Sequence, residues 1–366
     1  MFLHEIKQTF ADPRRLIFVF GASLAYLILF AMLYSPNIVK NIPTIIFDAD
    51  NTKISREFLR GFDDSDGFAI IGYAACEEDM RRALIDKAAL AAIEVPKNFS
   101  RDIAHGSAEF LYMVNGSNII VTSVTSSAAQ NISADFSDKI AARRAATALG
   151  SNVNDLAKKI SPVQTRLRVL GNPIQGYTRF FLIGLAMAAF QQGILFALGA
   201  SIFGDRSQKI FSAWKLLAFK VIFYWLMSMA AFAMILAAIE HVAEIPIKFP
   251  LVDALILGGA FIFAVESLCV LTTRFFVREV NFIRAATMYP VPAFILSGYT
   301  FPAESMGASM NFAAKFFPMS YMSNNLREMF LTGATTKLFV DVRSLILIGA
   351  ACLILTALFS GKSFTR

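Results

Sequence analysis

Glu266, Gln191 and Gln192 are the residues whose type and placement most suggest chemistry, because all three stand inside long uncharged runs. A carboxylate in mid-span costs roughly 2.5–3.5 kcal/mol on insertion scales. Glu266 is therefore either a pathway or coupling group facing a bundle interior, or a structural partner for a basic or hydroxyl group. Arg274 lies eight residues on, about 12 Å along a helix, which makes it no obvious direct partner. Gln191 and Gln192 fall at the centre of the run Phe180–Gly204. Carboxamides in hydrocarbon need partners, so they either bond across a helix interface or line a path for an amphiphilic molecule. Gly361-Lys362-Ser363 has the tail of a phosphate-binding loop, but the glycine required five residues earlier is Thr356. That tail reads as a basic stop after an apolar run. His4, His105 and His241 are scattered, and Cys76, Cys269 and Cys352 make no disulfide framework. Neither set suggests a metal site, and no Gly-x-Ser-x-Gly or His-Glu-x-x-His pattern occurs.

The elements that must position these residues are set by hydropathy. The chain has 366 residues, 56% of them hydrophobic, with a mean hydropathy of +0.56. Apolar runs occupy Leu16–Tyr34, Phe180–Gly204, Val221–Ile239, Ala254–Thr273, Ala285–Thr300 and Ser344–Gly361. Runs of this length read as membrane spans. The fold class expected is a polytopic α-helical membrane protein with six transmembrane helices and one α/β domain outside the membrane between the first and second. The first run exceeds a signal-peptide core and lacks a clear small-x-small site after it, so it is expected as an uncleaved span. Pro290 and Pro292 predict that the fifth is kinked or broken.

Charge then orients the layout. Lys7, Arg14, Arg15, Arg206, Lys209, Lys215, Lys220, Arg274, Arg278, Arg284, Lys362 and Arg366 fall on one set of short segments. The other set carries Lys248, Lys315, Arg327, Lys337 and Arg343. Twelve against five places both termini in the cytoplasm by the positive-inside rule. The same bias explains the net charge of +7 without a nucleic-acid partner. The domain boundaries expected are an N-terminal interfacial helix over 1–15, a first transmembrane helix over 16–35, an extracytoplasmic domain over 36–177 and a five-helix domain over 178–366. The last contains a cytoplasmic loop at 205–220 and an external hairpin at 297–336.

Within 36–177 the order of signals is β-α-β-α-β-α-β. Strands are expected at Pro43–Phe47, Phe68–Tyr73, Ala89–Val95 and Glu109–Val114. Helices are expected between them, and a small mixed sheet follows. From Asn118 to about Ile160 the chain is rich in Ala and Ser without turn residues, which predicts one or two long helices. At the N-terminus Phe2, Ile6 and Phe10 form an apolar helical stripe, ended by Asp12-Pro13. For the 205–220 loop, Phe203, Ile210, Phe211 and Trp214 give a helical apolar face and Arg206, Lys209 and Lys215 give charge. That loop either rests on lipid or docks a soluble partner.

Several of these segments resemble the type 2 ATP-binding-cassette (ABC) exporter permeases, in the subgroup with one large external domain after the first span. Ile45-Ile46-Phe47-Asp48-Ala49-Asp50-Asn51, then Ser55, Phe58 and Leu59, is similar to the first strand–turn–helix of that domain. Ala91 to Ser100 and Asn115 to Asn118 are similar to its later strand ends. Leu296 to Met306, then Phe317, Pro318 and Tyr321, Arg327 and Gly333, are similar to the family's hairpin after the fifth span. The resemblance implies a permease subunit of an ATP-driven exporter in a bacterial cytoplasmic membrane, moving a hydrophobic or amphiphilic cargo such as a drug or lipid. It implies no catalysis in this chain, with ATP and Mg bound by a separate ABC ATPase subunit. It also implies a dimer with a second copy or a sister permease in the lipid bilayer, and leaves room for a periplasmic adaptor. Docking would fall to Phe2, Ile6, Phe10, Arg206, Lys209 and Trp214, and the transport pathway to Gln191, Gln192 and Glu266. The family's acidic, Arg- and Gly-containing motif is missing from the loop that runs from Gly204 to Lys215. The alternative is a membrane-anchored receptor or assembly factor whose ectodomain binds a partner and transports nothing.

Overall fold

The computed structural model describes residues 9–33, 40–116, 119–149, 177–207 and 214–359. The chain divides into two compact units, one of Ile38–Leu167 and one of Met1–Asn37 with Arg168–Arg366.

The smaller unit holds strands β1 (Ile42–Asp48), β2 (Phe68–Tyr73), β3 (Ala91–Val95) and β4 (Leu111–Val114), in sheet order β2-β1-β3-β4. β1 runs parallel to both β2 and β3, and β4 closes one edge antiparallel to β3. The helices α2 (Lys53–Asp63), α3 (Glu77–Ile85) and α4 (Phe99–His105) connect the strands, and α5 (Ile119–Leu149) follows β4. The expected alternation is thus present, and one long helix follows it among the described residues. The turn after β1 explains why α2 starts where it does. Asp48 Oδ1 accepts the Asp50 and Asn51 N–H groups, and the Ser55 hydroxyl donates to Asp48 Oδ2 at 2.7 Å. Thr52 and Ser55 form a reciprocal N-cap. Phe58 is the centre of the core, with the rings of Phe62, Phe99, Phe110 and Phe136 at centroid distances of 5.0 to 5.3 Å. Full burial of a ring, as at Phe58, Phe62 and Phe99, is worth about 1.5–3 kcal/mol, whereas Phe110 and Phe136 are partly covered.

The larger unit is a helical bundle: α1 (Pro13–Leu33), α6 (Tyr177–Ser207), α7 (Trp214–His241), α8 (Leu251–Thr273), α9 (Glu279–Met288), α10 (Pro290–Leu296), α11 (Ala308–Ala314), α12 (Pro318–Thr332) and α13 (Leu338–Phe359). Among the described residues, α1, α6, α7, α8 and α13 are long and apolar enough to cross a membrane. The six-span expectation therefore meets five continuous helices and one broken segment. Pro290 and Pro292 supply no N–H, so the ladder of the fifth run parts at Tyr289.

α6 and α8 are the interior helices, and α1, α7 and α13 turn much of their surface outward. α6 packs against α1, α7, α8, α9, α10 and α12. Small residues permit the closest approaches. A Cβ at Gly193 of α6 would lie 2.2 Å from the Phe18 carbonyl oxygen of α1, beside a π-helical turn at Ile17–Gly21. On α13, Gly349 makes room for the Phe263 ring of α8. Within the hairpin segment α12 buries Met319, Met322, Leu326, Met329 and Phe330 and packs on α6, α8 and α13, whereas Phe301, Met310, Phe312 and Phe316 stand exposed.

Candidate functional site

Each of the two interior helices carries one sealed polar group. Gln191 on α6 and Glu266 on α8 are both fully buried. Neither side chain has a hydrogen-bond partner among the described residues. α6 and α8 run side by side in the same direction, since the Phe190 and Phe261 rings face at 6.5 Å and the Cys269 thiol donates to the Leu195 carbonyl at 3.5 Å. Gln191 is four residues before Leu195 and Glu266 three before Cys269. At 1.5 Å of rise per residue these contacts put the two roughly 2 to 6 Å apart in depth, about one helical turn at most. The structure separates the neighbouring glutamines, because Gln192 is only half-buried. Ser228 of α7 and Ser23 of α1 are also buried without a hydrogen-bond partner among the described residues.

A second cluster lies at the end of the bundle where α6 stops and α7 starts. Lys220 Nζ is 3.0 Å from Asp205 Oδ2 and donates to the Ser201 hydroxyl at 2.5 Å. Lys220 is fully enclosed and the Asp205 side chain nearly so. Arg15 of α1 is buried at the same end, where its guanidinium would be 3.1 Å from a Cβ on Gly204. Arg15 Nε also lies 3.4 Å from Asp12. Arg14 bonds to Asp12 in bidentate fashion at 2.8 and 2.9 Å, and that guanidinium holds the Asp12 carboxyl below its usual range. The Asp205–Lys220 pair joins α6 to α7 by charge, and the buried Arg15 of α1 packs beside Gly204 at the same end. Sequence reasoning counted Arg15 and Lys220 as flanking charges and missed the cluster. The available signal was Ser201 and Asp205 at i and i+4, which share one helix face.

The expected docking residues fare unevenly. Phe10 is on a helical stretch over 9–11 and is exposed, and Asp12-Pro13 ends that stretch as expected. Phe2, Ile6 and Lys209 lie outside the described residues, as do the side chains of Arg206 and Trp214. Gly184 packs against a ring: its Cβ position is 2.6 Å from the Tyr299 ring. The Tyr299 hydroxyl accepts from the Gly184 N–H at 3.1 Å and donates to the Phe180 carbonyl. Those two backbone groups pair with each other in an undisturbed helix, so Tyr299 is inserted into the ladder of α6.

A search of curated proteins finds no match. The family model described as ABC-2 family transporter protein matches residues 14–358. Proteins of that family are membrane components of ABC transporters and work with a partner ATPase subunit. The match runs from the base of α1 to the end of α13, through both units, and the chain belongs to the ABC-2 transporter family.

Proposed function

We propose that the chain is one half of the membrane domain of an ATP-driven exporter. It moves a hydrophobic or amphiphilic cargo out across the cytoplasmic membrane of a bacterium. Two copies, or one copy with a sister permease, pair with two separate ATPase subunits, which hold ATP and Mg. Both termini are cytoplasmic, the 36–177 domain is outside, and the broken pair α9–α10 serves as the fifth of six spans. A periplasmic adaptor fits the external domain as a further partner.

The observation that supports transport best is the sealed pair on α6 and α8. Burying a polar side chain without a partner costs about 1–3 kcal/mol. Gln191 and Glu266 would recover that cost in a second state, where cargo, water or the other half-permease reaches them. A helix bundle that served only as an anchor has no use for such groups. Closure of the ATPase subunits presses on the 1–15 helix (Phe2, Ile6, Phe10) and on the 205–220 loop (Arg206, Lys209, Trp214). The Asp205–Lys220 pair passes that push to α6 and α7 together. Different contacts in the two states supply the coupling free energy.

Replacing Arg206, Lys209 and Trp214 by Ala together should abolish co-purification of the ATPase subunit. Unchanged pull-down by the triple variant removes the docking assignment. If the wild-type chain recruits no ATPase at all, the receptor or assembly-factor reading takes its place.

A further inference from the structure

The geometry points to a binding site for the anionic head of an amphiphile, in a cavity of about 700 Å³ at the hairpin end of the bundle. Phe180, Leu296, Tyr299, Pro302 and Ala314 give it apolar walls. Five charged side chains also line it: Lys315, Arg327, Lys337, Glu328 and Asp341. The acids are already engaged. Asp341 accepts from Asn325 at 2.6 Å, and Glu328 accepts from Thr335 at 2.8 Å. None of the three bases forms an ion pair among the described residues; Lys337 acts on Asp341 through charge, and the lining keeps three bases against two acids.

Arg327 is the centre of the site. Its guanidinium lies 4.7 Å from the Tyr299 ring centroid and 5.0 Å from that of Phe180. Its one hydrogen bond among the described residues goes to Asn324 Oδ1 at 3.1 Å. A guanidinium carries five N–H donors, so most of them remain for a ligand. The two rings hold the plane of the group in place, which lowers the entropy cost of a bidentate bond to phosphate or carboxylate. Asn324 is fixed in turn by donating to the Ser297 and Ser320 carbonyls at 2.6 and 3.2 Å. Lys315 and Lys337 stand exposed at the rim and add attraction without packing. A charged head would bind at Arg327, with the apolar body of the molecule along the aromatic and proline walls.

This site narrows the cargo class of the proposed permease and rests on that reading for its role in transport. Binding itself is measured on the chain alone. The full-length chain is reconstituted in phosphatidylcholine nanodiscs and titrated calorimetrically with three probes: dihexanoyl phosphatidylglycerol, dihexanoyl phosphatidylcholine and inorganic phosphate. The phosphatidylglycerol should bind at least tenfold more tightly than either other probe. Arg327→Gln should weaken it about tenfold, the loss expected for one charge-assisted contact. Arg327 packs on two rings, so Arg327→Gln is checked by its melting temperature. The double variant Lys315→Gln/Lys337→Gln, confined to the exposed rim, should also weaken binding severalfold while the fold is kept. Equal binding of phosphatidylcholine overturns the anionic head. Equal binding of inorganic phosphate overturns the amphiphile and leaves a free-anion site. Unchanged affinity in the rim variant and in a folded Arg327→Gln overturns the location. A chain that binds phosphatidylglycerol as stated but recruits no ATPase would sink the exporter reading and leave this site standing.

Discussion

At the residue scale, Glu266 carries the sharpest question. It was legible in the sequence because one carboxylate in a run of apolar residues is expensive to insert and therefore conspicuous. What the sequence left open was its partner, and the fold gives it none among the described residues. Glu266→Gln keeps the size and polarity of the side chain and removes only its acid function. In the assembled complex we expect this change to lower cargo-stimulated ATP hydrolysis about fivefold, which corresponds to ~1 kcal/mol of barrier, with an unchanged melting temperature. A wild-type rate would return Glu266 to a packing role. Lys220 shows the opposite case. At the edge of an apolar run it reads as one more juxtamembrane charge, and only the fold reveals that it is fully enclosed against Asp205.

At the scale of elements, that ion pair is the joint between α6 and α7. A buried pair is weak evidence for stability as such, but breaking it strands a charge. Asp205→Asn should lower the stability of the detergent-solubilised chain by about 3 kcal/mol. Asp205→Leu combined with Lys220→Met should restore most of it, because no charge is left behind. Thermal unfolding of the single and double variants reads the coupling directly, and additive losses would show that the two residues do not act as a pair. If the joint also transmits the push of the ATPase, the double variant will be stable yet uncoupled. The fifth apolar run teaches a related lesson. Pro290 and Pro292 announced a break in the sequence, and the break is real at Tyr289. The consequence was harder to foresee: Tyr299, just past the broken segment, inserts its hydroxyl into the ladder of α6. No periodicity predicts a contact between residues more than a hundred positions apart.

For the whole molecule, the exporter reading needs one sidedness, with the α/β unit outside and the 205–220 loop inside. Protease added outside intact cells should cut between residues 36 and 177, and the 205–220 loop should be cut only after the membrane is opened. Gel fragments of the reverse pattern would invert the topology, placing the proposed docking loop away from any cytoplasmic ATPase. The cavity around Arg327 would then face the cytoplasm as well. The two units were separable by eye in the sequence because their patterns differ in kind. One alternates short strands with amphipathic helices, while the other repeats apolar runs near the thickness of a bilayer.

By itself the sequence determined the place of the five long apolar helices, the break in the fifth apolar run, the order of strands in the inserted unit, and the family, through motifs spread over most of the chain. These depend on local propensity and on the cost of placing charge in hydrocarbon, and both are properties of short windows. Only the tertiary structure decided which helices lie inside, that Gln191 and Glu266 are fully enclosed while Gln192 is half-exposed, and that Arg15, Asp205 and Lys220 gather at one end. It also decided that Arg327 stacks on Phe180 and Tyr299 beside a cavity. Those outcomes turn on how helices rotate about their axes and where glycines let them touch. That is settled by packing between segments distant in the chain, and no short stretch of residues contains it.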